Sequence, residues 1–157
     1  MKYSDFLHIA ELLNVQLSIV PLLYGSLGLE QRLSVDLNAD DIDVLLPEKF
    51  INTEWNKLLS LMNIAGYRLV DEHEHEFYNG SVTAAYASLE SLKSFANIEI
   101  SDIPLVEDND TKYLLLELPD YLKVYEASSK DGYRKNVKNK QDNKKIALIK
   151  KALENKG

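Results

Sequence analysis

The apolar positions change period along this chain, and each change marks an element. Phe6, Leu7, Ala10 and Leu13 fall on one helical stripe, which predicts a helix over 4–14 with Ser4 as N-cap and Asn14 near its end. The run Ile19-Val20-Pro21-Leu22-Leu23-Tyr24 reads as a buried strand, as does Val44-Leu45-Leu46, which stops at Pro47. From Thr53 to Ala65 the helical spacing returns through Trp55, Leu58, Leu59 and Met62, and Gly66 is placed to end that helix. Residues 67–78 and 81–88 read as two strands about Asn79-Gly80, a dipeptide that favours a type I′ hairpin.

Beyond the hairpin the chain predicts a short helix from Ser88 to Ala96 and a short strand at Ile98-Glu99-Ile100. Glu107-Asp108-Asn109-Asp110 reads as a solvated turn and Tyr113 to Leu118 as a strand. Pro119 suits the first turn of a helix carrying Tyr121, Leu122, Val124 and Tyr125, interrupted at 128–132, and a last helix carries Ile146, Ile149 and Leu153. No linker or repeat divides the chain. The alternation of strands with helices predicts a mixed α/β sheet with helices packed on it. It is read as one domain over 1–157, with a core at about 4–118 and a helical segment at about 119–155.

Composition narrows the setting. A chain of 157 residues, 45% hydrophobic and 27% charged, has the make-up of an ordinary globular domain. Cysteine is absent, which excludes disulfides and thiolate metal sites. The N-terminus lacks a signal-peptide pattern and no apolar run reaches the length of a membrane span, so the expected location is the cytoplasm. The net charge of −7 is uneven: residues 1–133 carry −14 and residues 134–157 carry +7. The basic stretch Arg134-Lys135-Asn136-Val137-Lys138-Asn139-Lys140 reads first as a solvated face attracted to the acidic body. That acidic body disfavours nucleic acid as a partner, because phosphate backbones demand positive contact surfaces.

The candidate chemistry lies in two short motifs. Gly25-Ser26 follows the first apolar run, and after fourteen intervening residues Asp41-Ile42-Asp43-Val44 opens the second. On a strand Asp41 and Asp43 project from the same face, roughly 6–7 Å apart along the backbone. Hard oxygen donors so placed suit Mg²⁺, with Mn²⁺ as a substitute. Glycine lets backbone N–H groups approach a phosphate, and a helix starting near Leu27 aims its positive end the same way. These residues resemble the nucleotidyltransferase superfamily, the DNA polymerase β-like fold, whose signature is an apolar residue, Gly, Gly or Ser, a spacer, then Asp, apolar, Asp or Glu, apolar. The layout also resembles the small antibiotic- and toxin-type members. The spacer is slightly long, Tyr24 is less apolar than usual, and the likeness covers roughly residues 4–100.

The resemblance implies an NTP substrate, metal at Asp41 and Asp43, triphosphate held by Gly25 and Ser26, and Lys123 on a helix and Arg134 after the Gly132 break reaching the phosphates. It also implies a third carboxylate on a later strand. Val82-Thr83-Ala84-Ala85-Tyr86-Ala87 is the strand expected to supply it and has no acid. Glu74, Glu76 and Glu99 are the replacements, with Glu76 preferred as the third catalytic carboxylate. The resulting expectation is a Mg²⁺-dependent nucleotidyltransferase moving a nucleoside monophosphate to a hydroxyl or phosphate acceptor. The alternative is an inactive binding or regulatory module of the same fold, which the missing acid favours.

Competing motifs fare worse. Asp36, Asn38 and Asp40 occupy the first, third and fifth positions of a calcium loop, but Asp41 stands where glycine is required and Pro47 where glutamate is required. Gly25-Ser26-Leu27-Gly28 lacks the Gly-Lys-Ser/Thr of a P-loop and the third glycine of a dinucleotide fingerprint. Alternation in His73-Glu74-His75-Glu76 puts two histidines on one face of a strand; two ligands do not complete a metal site, and exposed strand histidines are the simpler reading. Asp41 and Asp43 also admit a plain reading as solvated charge before a strand.

Overall fold

Seven strands form one mixed sheet, in the order β3-β4-β5-β2-β1-β7-β6. The computed structural model describes residues 2–129 and 139–156. The strands are β1 (Leu22–Tyr24), β2 (Asp41–Leu46), β3 (Arg68–Asp71), β4 (Glu76–Tyr78), β5 (Thr83–Ser88), β6 (Leu105–Asp108) and β7 (Thr111–Leu115). The helices are α1 (Lys2–Leu17), α2 (Gly25–Leu33), α3 (Trp55–Ile64), α4 (Ser91–Ala96), α5 (Leu118–Ser129) and α6 (Asn139–Lys156). β2 runs parallel to β5 and β1 parallel to β7; the remaining pairs are antiparallel. The mixed α/β single domain expected from the sequence is the fold found. Among the described residues no helix is long and apolar enough to cross a membrane.

Period-two alternation assigns each face of the sheet. Tyr86, Val44, Leu23 and Leu115 stand in one registered row across four strands, all buried. α1 and α3 cover this face: Phe6 meets Tyr113 edge-on at 5.1 Å, and the Tyr86 hydroxyl lies 3.0 Å from the Met62 sulfur. Complete burial of each large apolar side chain contributes about 1.5–3 kcal/mol, so this row adds substantially to stability. The opposite face carries Asp41, Asp43 and Ala85 and is roofed by α2, α4 and α5. That face is apolar at Leu22 and Leu45, both buried, and carries its carboxylates toward the start of β2.

Several elements depart from the sequence expectation. α1 begins at Lys2, so Ser4 lies inside the helix and is not its N-cap. The first turn is pinned by Tyr3, whose hydroxyl donates to Asp108 Oδ2 at 2.7 Å and lies 2.9 Å from the Tyr113 hydroxyl. The strand expected over 67–78 is broken into β3 and β4 by a turn at 72–75, where the Asp71 carboxylate accepts from the Glu74 N–H and His75 takes a φ of 54°. The Asn79-Gly80 hairpin forms with a four-residue connection in place of a two-residue type I′ turn, because the Asn79 side chain accepts from the N–H groups of Ser81 and Val82. No strand forms at 98–100; a 3₁₀ turn spans Ile100–Asp102. β6 is an edge strand the pattern missed, and the solvated turn is its hairpin to β7, with Asn109 and Asp110 both at positive φ.

Candidate active site

The acidic pair sits where β2 enters the sheet. Ile42 is fully buried, while Asp41 and Asp43 on either side of it face a cavity of about 560 Å³. β1 pairs with β2 so that Tyr24 lies opposite Asp43, and the chain turns from Tyr24 directly into α2. Gly25 makes that turn with a φ of +63°, and a Cβ there would collide with the Asp43 carboxylate. Its role is therefore steric as well as conformational. Gly25 and Ser26, at the amide-rich end of α2, border the cavity beside the carboxylates. Three residues on, a Cβ at Gly28 would run into the Tyr121 hydroxyl and the Leu23 carbonyl. The Tyr121 hydroxyl donates to that carbonyl at 3.3 Å, locking α5 onto the end of β1.

Two charged residues at the far end of α2 tie down the flanking loops. Glu30 accepts from the N–H groups of Leu37 and Ala39 at 2.7 and 3.3 Å, which fixes the approach to Asp41. Arg32 donates to the Leu116 carbonyl at 2.8 Å and to the Leu115 carbonyl at 2.9 Å, which fixes the passage from β7 into α5. Asp36 accepts from the Asn38 N–H at 2.7 Å, a local turn rather than one side of a calcium cage.

The sheet register decides what stands beside the pair. Asp43 is registered with Ala85 on β5, and Ala85 with Glu76 on β4, so the three share one row and one face. All three border the cavity. Burial, followed by the charges of Asp71, Asp41 and Glu74, raises the pKa of Glu76 above the ordinary carboxylate value. Glu74 stands at the rim, 62% exposed and 3.9 Å from His73 Nε2. Glu99 pairs with Lys93 and does not line the cavity. The two histidines do not form the expected face: His73 is 94% exposed, while His75 turns edge-on to Trp55 at 5.0 Å. The intervening turn breaks the strand periodicity on which that reading depended.

The opposite wall is aromatic. Tyr121 and Tyr125 stack at 6.2 Å on α5, joined by Phe95 of α4. Lys145 of α6 borders the cavity with its Nζ 5.3 Å from the Tyr125 ring. Sequence reasoning passed over this lysine, although it sits one helical turn before the fully buried Ile149 and so on the packed face of α6. Lys123 does not line the cavity; it is exposed and 3.9 Å from Asp120. Arg134 and the rest of the basic stretch through Lys138 lie outside the described residues; of the interruption expected at 128–132, Ser128 and Ser129 continue α5 and 130–132 lie outside the described residues.

A divalent cation fits the donors present. Asp41 and Asp43 offer hard carboxylate oxygens on one cavity wall, the ligand type that Mg²⁺ and Mn²⁺ take. Among the described residues no three His, Asp or Glu side chains converge into a preformed cage. A cation held by two carboxylates would complete its shell with water or phosphate oxygens.

No family model matches the chain. It is 42% identical over 153 residues to the uncharacterized protein YnaI of Bacillus subtilis (strain 168), with 98% of each chain covered. The solution structure of the antibiotic-resistance factor ANT(2'')-Ia superposes with a TM-score of 0.61 at 14% identity, over 97% of this chain and 85% of that one. The crystal structure of ANT(2")-Ia in complex with adenylyl-2"-tobramycin gives 0.59 at 14% identity, over 98% and 90%. At that identity the likeness is one of fold, and the fold is nucleotidyltransferase-like.

Proposed function

We propose that this chain, which belongs to the same family as YnaI of Bacillus subtilis, is a Mg²⁺-dependent nucleotidyltransferase. The observation that carries the reading is the juxtaposition of Gly25, the start of α2 and the Asp41/Asp43 pair on one cavity wall, within a nucleotidyltransferase-like fold. The reaction joins an acceptor oxygen to the α-phosphorus of an NTP. The Pα–O bond to the β-phosphate breaks, pyrophosphate leaves, and an acceptor hydroxyl gives up its proton. Asp41 and Asp43 hold the cation, which when bound neutralises phosphate charge and favours loss of that proton. The first turn of α2 and Ser26 donate hydrogen bonds to the triphosphate, and Lys145 supplies a cation from the opposite wall. Tyr121 and Tyr125 offer a π-face to a base or an acceptor ring. One structural neighbour was solved with adenylyl-2"-tobramycin, and by that likeness the acceptor here is a small molecule.

Ala85 supports a second reading, because the residue registered beside Asp43 is not an acid. In that reading the chain binds nucleotide and metal without turnover, as a binding or regulatory module.

Titration of ATP, GTP, CTP and UTP with and without Mg²⁺ separates these cases. The wild type is expected to bind at least one NTP only with Mg²⁺, and Asp41→Asn or Asp43→Asn to lose that binding while keeping a cooperative melt. Unchanged binding in both variants refutes the site. Product formed from a panel of hydroxyl and phosphate acceptors distinguishes transfer from binding alone.

A further inference from the structure

The geometry points to Phe95 as the platform on which the nucleobase of the NTP stacks. This rests on the nucleotidyltransferase reading and deepens it, by naming the side chain that takes the base. Phe95 lies on α4 and borders the cavity, yet it is 42% exposed. The other large hydrophobic side chains so exposed among the described residues, Val15, Val35, Ile64, Val70 and Leu105, are aliphatic and do not line the cavity. Scattered aliphatic exposure is ordinary on a protein surface. An aromatic ring left open on the wall of a carboxylate-rich cavity presents a face for a ligand to meet.

Its neighbours on that wall are closed. Tyr121 is fully buried and Tyr125 is 5% exposed; the two rings stack on each other, and the Lys145 Nζ lies against the Tyr125 ring. They give the wall its depth, and Phe95 gives it a reachable face. The backbone that carries Phe95 is fixed: Leu92, three residues earlier, is buried, and the N–H groups of Asn97 and Ile98 close the end of α4 on the carbonyls of Lys93 and Leu92.

A phenyl ring has no donor, acceptor or charge, which makes it a poor partner for a triphosphate and a good one for a flat heterocycle. Stacking meets the face of a base and leaves its edges unread, so this platform accepts every base and discriminates among them only by stacking strength.

Binding of Mg·ATP and of Mg·tripolyphosphate, which keeps the phosphates without the base, is measured by calorimetry for wild type, Phe95→Ala, Phe95→Leu and Phe95→Trp. Phe95→Ala is expected to weaken Mg·ATP about tenfold, within the range for loss of one stacked base, and to leave Mg·tripolyphosphate unchanged. Phe95→Leu keeps the bulk without the π-face and is expected to lose about as much, whereas Phe95→Trp retains ATP binding. Its added indole is expected to be quenched by Mg·ATP and not by Mg·tripolyphosphate; the native Trp55 does not line the cavity. All three variants are expected to melt with the wild type, since the ring is half exposed.

Wild-type Mg·ATP binding in Phe95→Ala overturns the proposal, and loss of that binding in Asp41→Asn beside it leaves the nucleotidyltransferase reading standing. Equal weakening of ATP and tripolyphosphate means that Phe95 acts on the phosphates or on the fold, and full retention by Phe95→Leu means apolar packing without stacking; either result overturns the proposal. A wild type that binds neither ligand defeats both readings together.

Discussion

Replacing Gly25 with alanine tests the geometry that joins the glycine turn to the acidic pair. The substitution adds one methyl group and incurs two separate penalties. The first is backbone strain, because a φ of +63° in a residue with a Cβ costs about 1–2 kcal/mol. The second is displacement of the Asp43 carboxylate, whose oxygen occupies the space the methyl group needs. Forcing a side chain off its rotamer costs about 0.5–1.5 kcal/mol. Together they give about 1.5–3.5 kcal/mol, and at roughly 2–4 °C per kcal/mol for a domain of this size the melting temperature falls by about 3–14 °C.

Gly66→Ala is the internal control, since its φ is +91° and nothing lies within 4 Å of the added methyl group. It carries backbone strain without a clash. Thermal melts of Gly25→Ala, Asp43→Ala and the double variant isolate the second penalty: removing the Asp43 carboxylate relieves the clash, so the double variant is more stable than the sum of the singles by about 0.5–1.5 kcal/mol. Additivity within about 0.3 kcal/mol refutes the contact. Metal-dependent nucleotide binding, measured alongside, is expected to fall at least tenfold in Gly25→Ala and to remain at wild-type strength in Gly66→Ala.

Three further substitutions follow from the same geometry. Gly28→Ala removes a helix glycine and by propensity alone would gain about 0.8–1 kcal/mol; the collision with Tyr121 and the Leu23 carbonyl reverses the sign, and a net loss of about 1–2 kcal/mol in a denaturant melt is expected. An unchanged or raised midpoint refutes the close approach. Arg32→Ala deletes two charge-assisted bonds to the Leu115 and Leu116 carbonyls and is expected to cost about 2–3 kcal/mol, with Arg32→Lys recovering only part because one ammonium cannot reproduce the planar fork. Lys145→Ala is expected to weaken Mg-ATP binding about tenfold by calorimetry with little change in melting temperature, whereas Lys123→Ala leaves binding unchanged. Equal effects of the two lysines would remove Lys145 from the site.

The parts legible in the sequence are those where local pattern and tertiary demand agree. The apolar runs before Gly25 and after Asp43 become β1 and β2 because both are buried in mid-sheet, and Trp55, Leu58 and Met62 form a helix whose packed face their spacing marks. The reading failed where polar side chains dictate backbone shape. His73 to Glu76 contains no glycine or proline, and nothing in its composition announces that the Asp71 carboxylate would close a turn there. Asn79 widened its hairpin in the same way. β6 escaped notice because an edge strand of four residues, with Leu105 half exposed, lacks a buried stripe. In the site, Asp41, Asp43, Gly25 and Ser26 were visible as a spacing, while Lys145 and the tyrosine wall enter only through packing between distant helices.

β1 has three residues and holds both halves of the sheet together, with β2 on one edge and β7 on the other. A chain emerging from the ribosome presents Asp41 and Asp43 well before Leu114 and Leu115 exist, a delay of several seconds at roughly 5–20 residues per second. Until β7 arrives, β1 has one partner and Arg32 has neither of its carbonyls. Until α5 follows, the Leu23 carbonyl awaits Tyr121 and the cavity lacks its far wall. The acidic strand is thus synthesised early and enclosed late, so the cavity is complete only as the last third of the chain docks.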